Sequence, residues 1–435
     1  MRRFAIGLTA VVLAVALLPI AKRFTKNADA VKTDAPAVED LSLSHTKPAD
    51  SATKPDAPAI SPLTSGVDLM HMSFDDSGAV APTASGRMAK LTIDPEMQRA
   101  ATTLLRVHRL PRAAIILADT ETGNILAYAS RSEGSSSRDI NAEARAPAAS
   151  VFKIVTGSAL VEDAQLTPDT EQCYWGGEHE IMPQNLEENP SRDRECTTLA
   201  GAMGHSTNTV FAKLALKHLK PEILDAQARA FGFDDPVPFD VAIEPSKLTL
   251  PQDDLGYART AAGFWNSTLS PLQAVWLSTT IARGGEAPRL SIVRELVEKN
   301  GAVTYEEPAP AVVRRAVSAS TAQAVTTMME KTVSEGTSRR AFHDGSGHSY
   351  LPGIVVAGKT GTLADPETHA LYTWFTGFAP SHATPGVKQV AVAVLVVNRP
   401  QWHIKANVIA REMLRTYFAE QNAAHVTVPS SVSRK

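Results

Sequence analysis

The chain is poor in cysteine, carries no surplus of either charge, and holds a single long apolar run. Two cysteines in 435 residues exclude a disulfide-dense scaffold and a cysteine-rich zinc module. Lys+Arg total 43 against 46 Asp+Glu, a net charge of −3, so no basic excess exists to neutralise phosphates and no nucleic-acid partner is expected. No internal repeat is visible. Hydrophobic residues at 43% and charged residues at 20% sit near the globular average and exclude wholesale disorder.

The apolar run covers residues 4–21, broken only by Gly7, Thr9 and Pro19. As a helix it would reach about 27 Å, enough to cross a bilayer. Arg2 and Arg3 precede it, and Lys22 and Arg23 follow. Residues 1–24 are expected to be an uncleaved membrane anchor, with a cleavable signal peptide as the rival. Either reading exports the rest of the chain, and the leading arginines favour a cytoplasmic N-terminus. Residues 25–88 spread Pro36, Pro48, Pro55, Pro58, Pro62 and Pro82 among Ala, Ser, Thr, Asp and Lys. Such a composition buries too little surface to fold alone and reads as a tether. Leu69, Met70, Met72 and Phe74 form an apolar island within it that could dock on the folded part.

The folded domain is expected over 89–420. Asp94-Pro95 has the form of a helix N-cap followed by Pro at the first helical position, and Met97, Ala101, Leu104 and Leu105 recur at helical spacing. Residues 113–119 read as a buried strand, and after the turn at Thr122-Gly123-Asn124 residues 125–130 read as its hairpin partner. Residues 150–280 read mostly as helix. Strand-like runs return at 354–360, 373–378 and 389–397, then a helix at 404–420 and a polar tail at 421–435. Strands at both ends with helices between them give an α/β fold of the α+β kind. One antiparallel sheet is built from N- and C-terminal strands and flanked by helices, with a mostly helical lobe inserted.

Gly353 to Thr360 matches the phosphate-loop pattern GxxxxGK[ST] letter for letter. A phosphate loop follows a strand and opens a helix. Here the middle residues Ile354, Val355, Val356 and Ala357 are strand formers, and the segment after Thr360 is not helical, so a nucleotide site is rejected.

Three other segments carry chemistry. Ser150-Val151-Phe152-Lys153 puts a serine and a lysine on one helix face, where a desolvated amine can take the hydroxyl proton. The pattern recurs at Ser44 to Lys47 and Ser51 to Lys54 in the tether, so it is weak alone; apolar Phe152, Ile154 and Val155 set Ser150 apart. Ser206-Thr207-Asn208 supplies a second hydroxyl and an amide, although alone it is an ordinary helix cap. Lys359-Thr360-Gly361-Thr362 lies on a strand, with Lys359 and Gly361 on one face and Thr360 and Thr362 on the other. Gly361 leaves room for a ligand backbone.

In this order the three segments resemble the SxxK, SxN and KTG motifs of the penicillin-binding proteins, serine acyltransferases of the bacterial cell wall. Residues 91–95 with Gln98, 119–130, 269–273 with Gly284 and Gly285, and 374–380 also resemble stretches of their transpeptidase domain. The resemblance implies Ser150 as acylated nucleophile, Lys153 as its base, Ser206 as proton shuttle and Asn208 as contact to substrate and Lys153. Lys359 and Thr360 would hold the substrate's terminal carboxylate, and Gly361 would admit its backbone. The backbone N–H groups of Ser150 and Thr362 would form the oxyanion hole. The implied reaction is D,D-transpeptidation of D-Ala-D-Ala stem peptides of peptidoglycan, without cofactor or metal, inhibited by β-lactams. The implied location is the bacterial cytoplasmic membrane, spanned once through residues 4–21, with the catalytic domain outside and cell-wall synthesis proteins as possible partners.

Ala148-Ala149 before Ser150 departs from the family's usual Pro-Gly approach. Residues 25–88 are too short and polar for a glycosyltransferase domain, so a single-domain transpeptidase is expected. The alternatives are a D,D-carboxypeptidase or serine β-lactamase using the same acyl-enzyme, or a non-catalytic penicillin-binding sensor or scaffold. Cys173 and Cys196 both fall in the inserted lobe. A disulfide is the favoured reading in an exported protein, worth roughly 3 kcal/mol by loop closure; free thiols, or a metal site with His179, remain open.

Overall fold

The computed structural model describes residues 63–133, 138–399 and 404–427, with side chains through Gln421. The candidate anchor, residues 25–62 of the candidate tether and residues 428–435 lie outside the described residues. Among the described residues no helix is long and apolar enough to cross a membrane.

Residues 63–88 are not a tether. β1 (Ser73–Asp75), β2 (Gly78–Pro82) and β3 (Met88–Leu91) form an antiparallel ribbon. Ala79, Val80, Ala81 and Ala89 are buried in it. The apolar island divides: Leu69 is buried and Met72 packs on the core, while Met70 and Phe74 stay exposed. The ribbon escapes a local reading because its partner strand lies some 200 residues onward.

α1 (Pro95–Val107) starts where expected. Asp94 Oδ1 accepts the N–H groups of Glu96 and Met97 at 2.8 and 2.9 Å, satisfying donors that a helix start leaves open. β4 (Arg112–Asp119) and β5 (Ile125–Ser132) form the expected hairpin. β6 (Ala146–Pro147) leads into a 3₁₀ turn, Ala149–Phe152, and then α2 (Lys153–Glu162).

The inserted lobe holds β7 (Glu171–Tyr174), α3 (Pro183–Leu186), β8 (Glu195–Thr198), α4 (Leu199–His205), α5 (Asn208–His218), α6 (Pro221–Ala230) and α7 (Asp254–Ala261). Cys173 and Cys196 face each other across β7 and β8 and are joined by a disulfide. β9 (Thr268–Leu269) returns to pair with β6. α8 (Pro271–Ala282) follows, then β10 (Glu286–Pro288), β11 (Val293–Val297), β12 (Val303–Glu306) and β13 (Val312–Arg315). β11 is the strand that takes β3, with Val293 opposite Leu91 and Val297 opposite Met88.

The chain ends with α9 (Ala319–Ser334), α10 (Arg339–Phe342), β14 (Ala357–Ala364), β15 (Leu371–Ala379), β16 (Val390–Asn398) and α11 (Ala406–Thr427). The expected polar tail begins as the last turns of α11, because no helix breaker occurs from Gln421 until Pro429. Gln421 also accepts the Lys388 N–H at 3.1 Å.

The central sheet runs β14-β15-β16-β4-β5, antiparallel throughout. Alternation sorts its side chains. Ala113, Ile115, Leu117, Val392 and Val394 share a core with Met97 and Ala101 of α1 and Ile409 and Met413 of α11. Ala114, Ile116, Ala118, Ala393 and Leu395 face Val151, Phe152 and, from α8, Val275 and Trp276. Both faces are covered, so these strands read as continuous apolar runs.

Ala81 tests the reassignment of residues 63–88. It is fully buried, so Ala81→Asp places a carboxylate in apolar surroundings. The expected loss is about 3 kcal/mol of unfolding free energy in urea titration. A tether would leave the midpoint unchanged.

Candidate active site

Ser150 and Lys153 are brought together by the 3₁₀ turn, in which side chains three apart eclipse. Lys153 Nζ lies 2.9 Å from Ser150 Oγ, 2.7 Å from Asn208 Oδ1 and 2.5 Å from the Ala262 carbonyl oxygen. The first residue of α5 and the end of α7 thus converge on the amine. Gly263 permits this approach: it adopts φ +83°, and a Cβ there would sit 2.4 Å from the Ala149 carbonyl oxygen. Trp374 Nε1 on β15 donates to the Pro147 carbonyl at 2.8 Å, fixing the chain that enters the turn.

The orientation of Asn208 follows from its neighbours. Its Nδ2 donates to the Glu178 carbonyl at 2.7 Å, so Oδ1 faces Lys153. Lys153 is fully buried. Burial first, and then the charge of Lys359, holds its amine well below the usual lysine range. A neutral amine has two hydrogens and one lone pair. Asn208 Oδ1 and the Ala262 carbonyl can only accept, so they take both hydrogens. The lone pair is left facing Ser150 Oγ, and the hydroxyl proton can pass to it.

Lys359 on β14 is also fully buried, and burial brings it down to about 7. Its Nζ donates to Ser206 Oγ at 3.0 Å and to the Thr360 carbonyl at 2.9 Å. Ser206 ends α4 with φ 60° and ψ 37°, an uncommon left-handed conformation for a residue with a Cβ. Ser150, Ser206, Asn208, Thr360, Gly361 and Thr362 line one cavity of about 370 Å³, with both lysines beneath it. Within the Lys359–Thr362 segment, Thr362 is exposed and Thr360 half-buried at the cavity, while Lys359 is buried.

Four contributors were missed in the sequence. The Ala262 carbonyl is backbone and carries no residue signature. Thr337, just beyond α9, lies 2.7 Å from Thr360, hydroxyl to hydroxyl, and its N–H donates to the Gly204 carbonyl at 3.0 Å. Glu178 and His179, from the disulfide-closed loop, complete the wall; the Gly176-Gly177 pair before them was the available signal of a tight turn. His205 is exposed and does not line the cavity. Among the described residues no cluster of His, Cys, Asp and Glu could hold a metal.

A larger groove of about 1190 Å³ lies among Asp119, Arg283, Lys388 and Glu420. Its one serine, Ser381, donates to a Glu330 carboxylate oxygen at 2.6 Å and has no buried amine beside it. It is not the site of serine chemistry.

The depressed lysines predict a pH dependence of stability. In the unfolded chain they keep their protons to about pH 10.4. Folded, Lys359 releases its proton near 7 and Lys153 also well below its ordinary value. Between about pH 7 and 9.5 the unfolded state therefore binds more protons, and stability rises with pH. Urea unfolding across this window should show the rise in the wild type and a shallower one in Lys359→Met. A flat wild-type profile would contradict the burial of neutral amines.

The family described as penicillin binding protein transpeptidase domain matches residues 113–415. Peptidoglycan D,D-transpeptidase PbpA of Mycobacterium tuberculosis is 30% identical over 266 residues, 58% of this chain and 50% of that protein. Stage V sporulation protein D of Bacillus subtilis is 27% identical over 252 residues, 56% of this chain and 37% of that protein. The chain thus spans about half the length, or less, of these curated relatives. The D,D-transpeptidase domain of a peptidoglycan glycosyltransferase from Eggerthella lenta superposes with TM-score 0.63 at 26% identity, covering 78% of this chain and 84% of that one. The crystal structure of PBPA from M. tuberculosis gives the same TM-score at 23% identity, covering 78% and 82%, a likeness of fold. A family match over most of the folded region, on a sheet and lobe of the same architecture, means that this chain belongs to the penicillin-binding protein transpeptidase domain family.

Proposed function

We propose that the chain is a peptidoglycan D,D-transpeptidase that works through an acyl-enzyme on Ser150. The observation that carries this reading is the buried Lys153 amine, 2.9 Å from Ser150 Oγ with its two other directions taken by acceptors. The relatives named for D,D-transpeptidase activity support it.

Ser150 Oγ attacks the carbonyl between the two D-alanines as Lys153 takes its proton. The N–H groups of Ser150 and Thr362 receive the developing oxyanion. Ser206, hydrogen-bonded to Lys359, passes a proton to the leaving amine, and D-alanine departs. Thr360 and Thr362 hold the terminal carboxylate by their hydroxyls. Lys359 contributes charge from beneath, its nitrogen being buried against Ser206. Asn208 holds Lys153 and meets the substrate amide. An acceptor amine then displaces Ser150. β-Lactams acylate the same oxygen and leave slowly. Residues 4–21 anchor the chain in the cytoplasmic membrane and residues 25–62 tether the domain outside it, beside other cell-wall synthesis proteins. The length and charge flanks of the apolar run support that placement.

Fluorescent penicillin added to the full chain should give a stable, covalent label that Ser150→Ala abolishes. Penicillin consumed without label would replace transfer by hydrolysis. Intact penicillin on a folded, unlabelled chain would contradict the acyl-enzyme altogether.

A further inference from the structure

The cavity wall opposite β14 is a short segment, residues 175–181, whose backbone is held almost entirely by side chains. Asn185 Nδ2 donates to the Trp175 carbonyl at 3.0 Å, Thr209 Oγ1 to that of Gly176 at 2.6 Å, and Asn208 Nδ2 to that of Glu178 at 2.7 Å. Arg259 Nε donates to the Ile181 carbonyl at 2.9 Å. Gly177 adopts φ +76°, and a Cβ there would lie 2.1 Å from Thr209 Oγ1, so the turn sits hard against α5. The disulfide closes the loop around it. So many anchors on an exposed loop fix its position relative to Asn208 and Ser150.

What the segment presents to the cavity is Glu178, the one acid among the described residues lining it. Three other acids of the loop are paired with cations. Glu180 pairs with Arg259 at 3.0 Å, and Asp193 and Glu188 pair with Lys213 at 2.6 and 3.5 Å. The exposed Glu178 carboxylate has no ion-pair partner among the described residues. The cavity's peripheral cation, Lys405, lies instead beside Ala406, whose N–H contacts Thr373 Oγ1 at 3.3 Å, and Thr373 pairs with Thr362. Glu178 is therefore the acid on the Asn208 side of the lining, where its own carbonyl accepts from Asn208 Nδ2.

We propose that Glu178 marks the acceptor subsite and that its carboxylate recruits an acceptor peptide carrying a primary ammonium. The inference rests on the transpeptidase reading and names the polarity of its second substrate. The ammonium docks on Glu178 and loses one proton to water at the cleft mouth. The resulting amine attacks the ester carbonyl on Ser150. The C–N bond forms, the C–Oγ bond breaks, and the amine's second proton passes through Lys153 to Ser150 Oγ. An amide and the free serine result.

The test is the partition of the acyl-enzyme, which is decided after acylation. The full chain is given a D-alanyl thioester donor with either the side-chain amine of an Nα-acetyl-lysine peptide, cationic at pH 7, or hydroxylamine, which is neutral. Products of aminolysis and hydrolysis are counted. Glu178→Gln should lower partition to the lysine amine by about two- to fivefold, the size of an exposed ion pair, and leave partition to hydroxylamine unchanged. Glu178→Lys should lower it further. Raising salt should erode the wild-type preference and spare the variant. Equal lysine-amine partition in wild type and Glu178→Gln, with acyl-enzyme formed in both, would overturn the acceptor assignment alone. Absence of an acyl-enzyme in the wild type would overturn the transpeptidase reading beneath it.

Discussion

The arrangement depends on taking one lysine amine out of water. Burial alone makes a charged Lys153 costly, and Lys359 nearby raises that cost, so both favour the neutral form. Neutrality then dictates geometry, because a nitrogen with two hydrogens between two obligate acceptors has one direction left. Each partner arrives on a different element: Ser150 on the 3₁₀ turn, Asn208 on α5, Ala262 after α7, Lys359 on β14. The sheet and lobe can be understood as the means of holding four elements around one nitrogen. Two residues beside the site, Ala149 and Ser206, have positive φ without being glycine. Such conformations cost about 1–2 kcal/mol each, and the surrounding packing sustains them.

The loop between Cys173 and Cys196, in which Ile181 is the one buried hydrophobic residue, is fastened by other chemistry. The disulfide joins residues 23 positions apart. Lys213 on α5 and Asp193 in the loop form an ion pair that is almost wholly buried, at 2.6 Å. Removing either partner would strand the other's charge, so the pair fixes register more than it adds stability. The helix carrying Lys213 begins with Asn208, which links the lobe's fastening to the Lys153 amine.

Much of this was legible in residue patterns. The Asp94-Pro95 start, the hairpin of residues 112–132 and the late meander follow from capping chemistry and apolar runs that need no distant partner. The convergence of Ser150, Lys153, Ser206, Asn208 and Lys359 was legible because they fall in three short patterns, which the structure brings within hydrogen-bond distance of one another. Residues 63–88 were misread because β3 finds its partner in β11, and pairing across such a separation leaves no local trace. β14 begins at Ala357 and not Ile354, since the preceding residues, including half-exposed Val355, lie before the ladder. The Ala262 carbonyl and Thr337 were invisible for a different reason: one acts through backbone, and the other through a hydroxyl brought close only by the contact between the ends of α4 and α9.

The central claim is the charge state of one nitrogen, and nitrogen-15 NMR of lysine side chains reads it directly. Assigned by its absence in Lys153→Met, the Lys153 Nζ resonance should pass from ammonium to neutral amine at a pH well below that of an exposed lysine. A Lys153 signal that remains ammonium through pH 9 would contradict the account, since the lone pair that faces Ser150 would not exist.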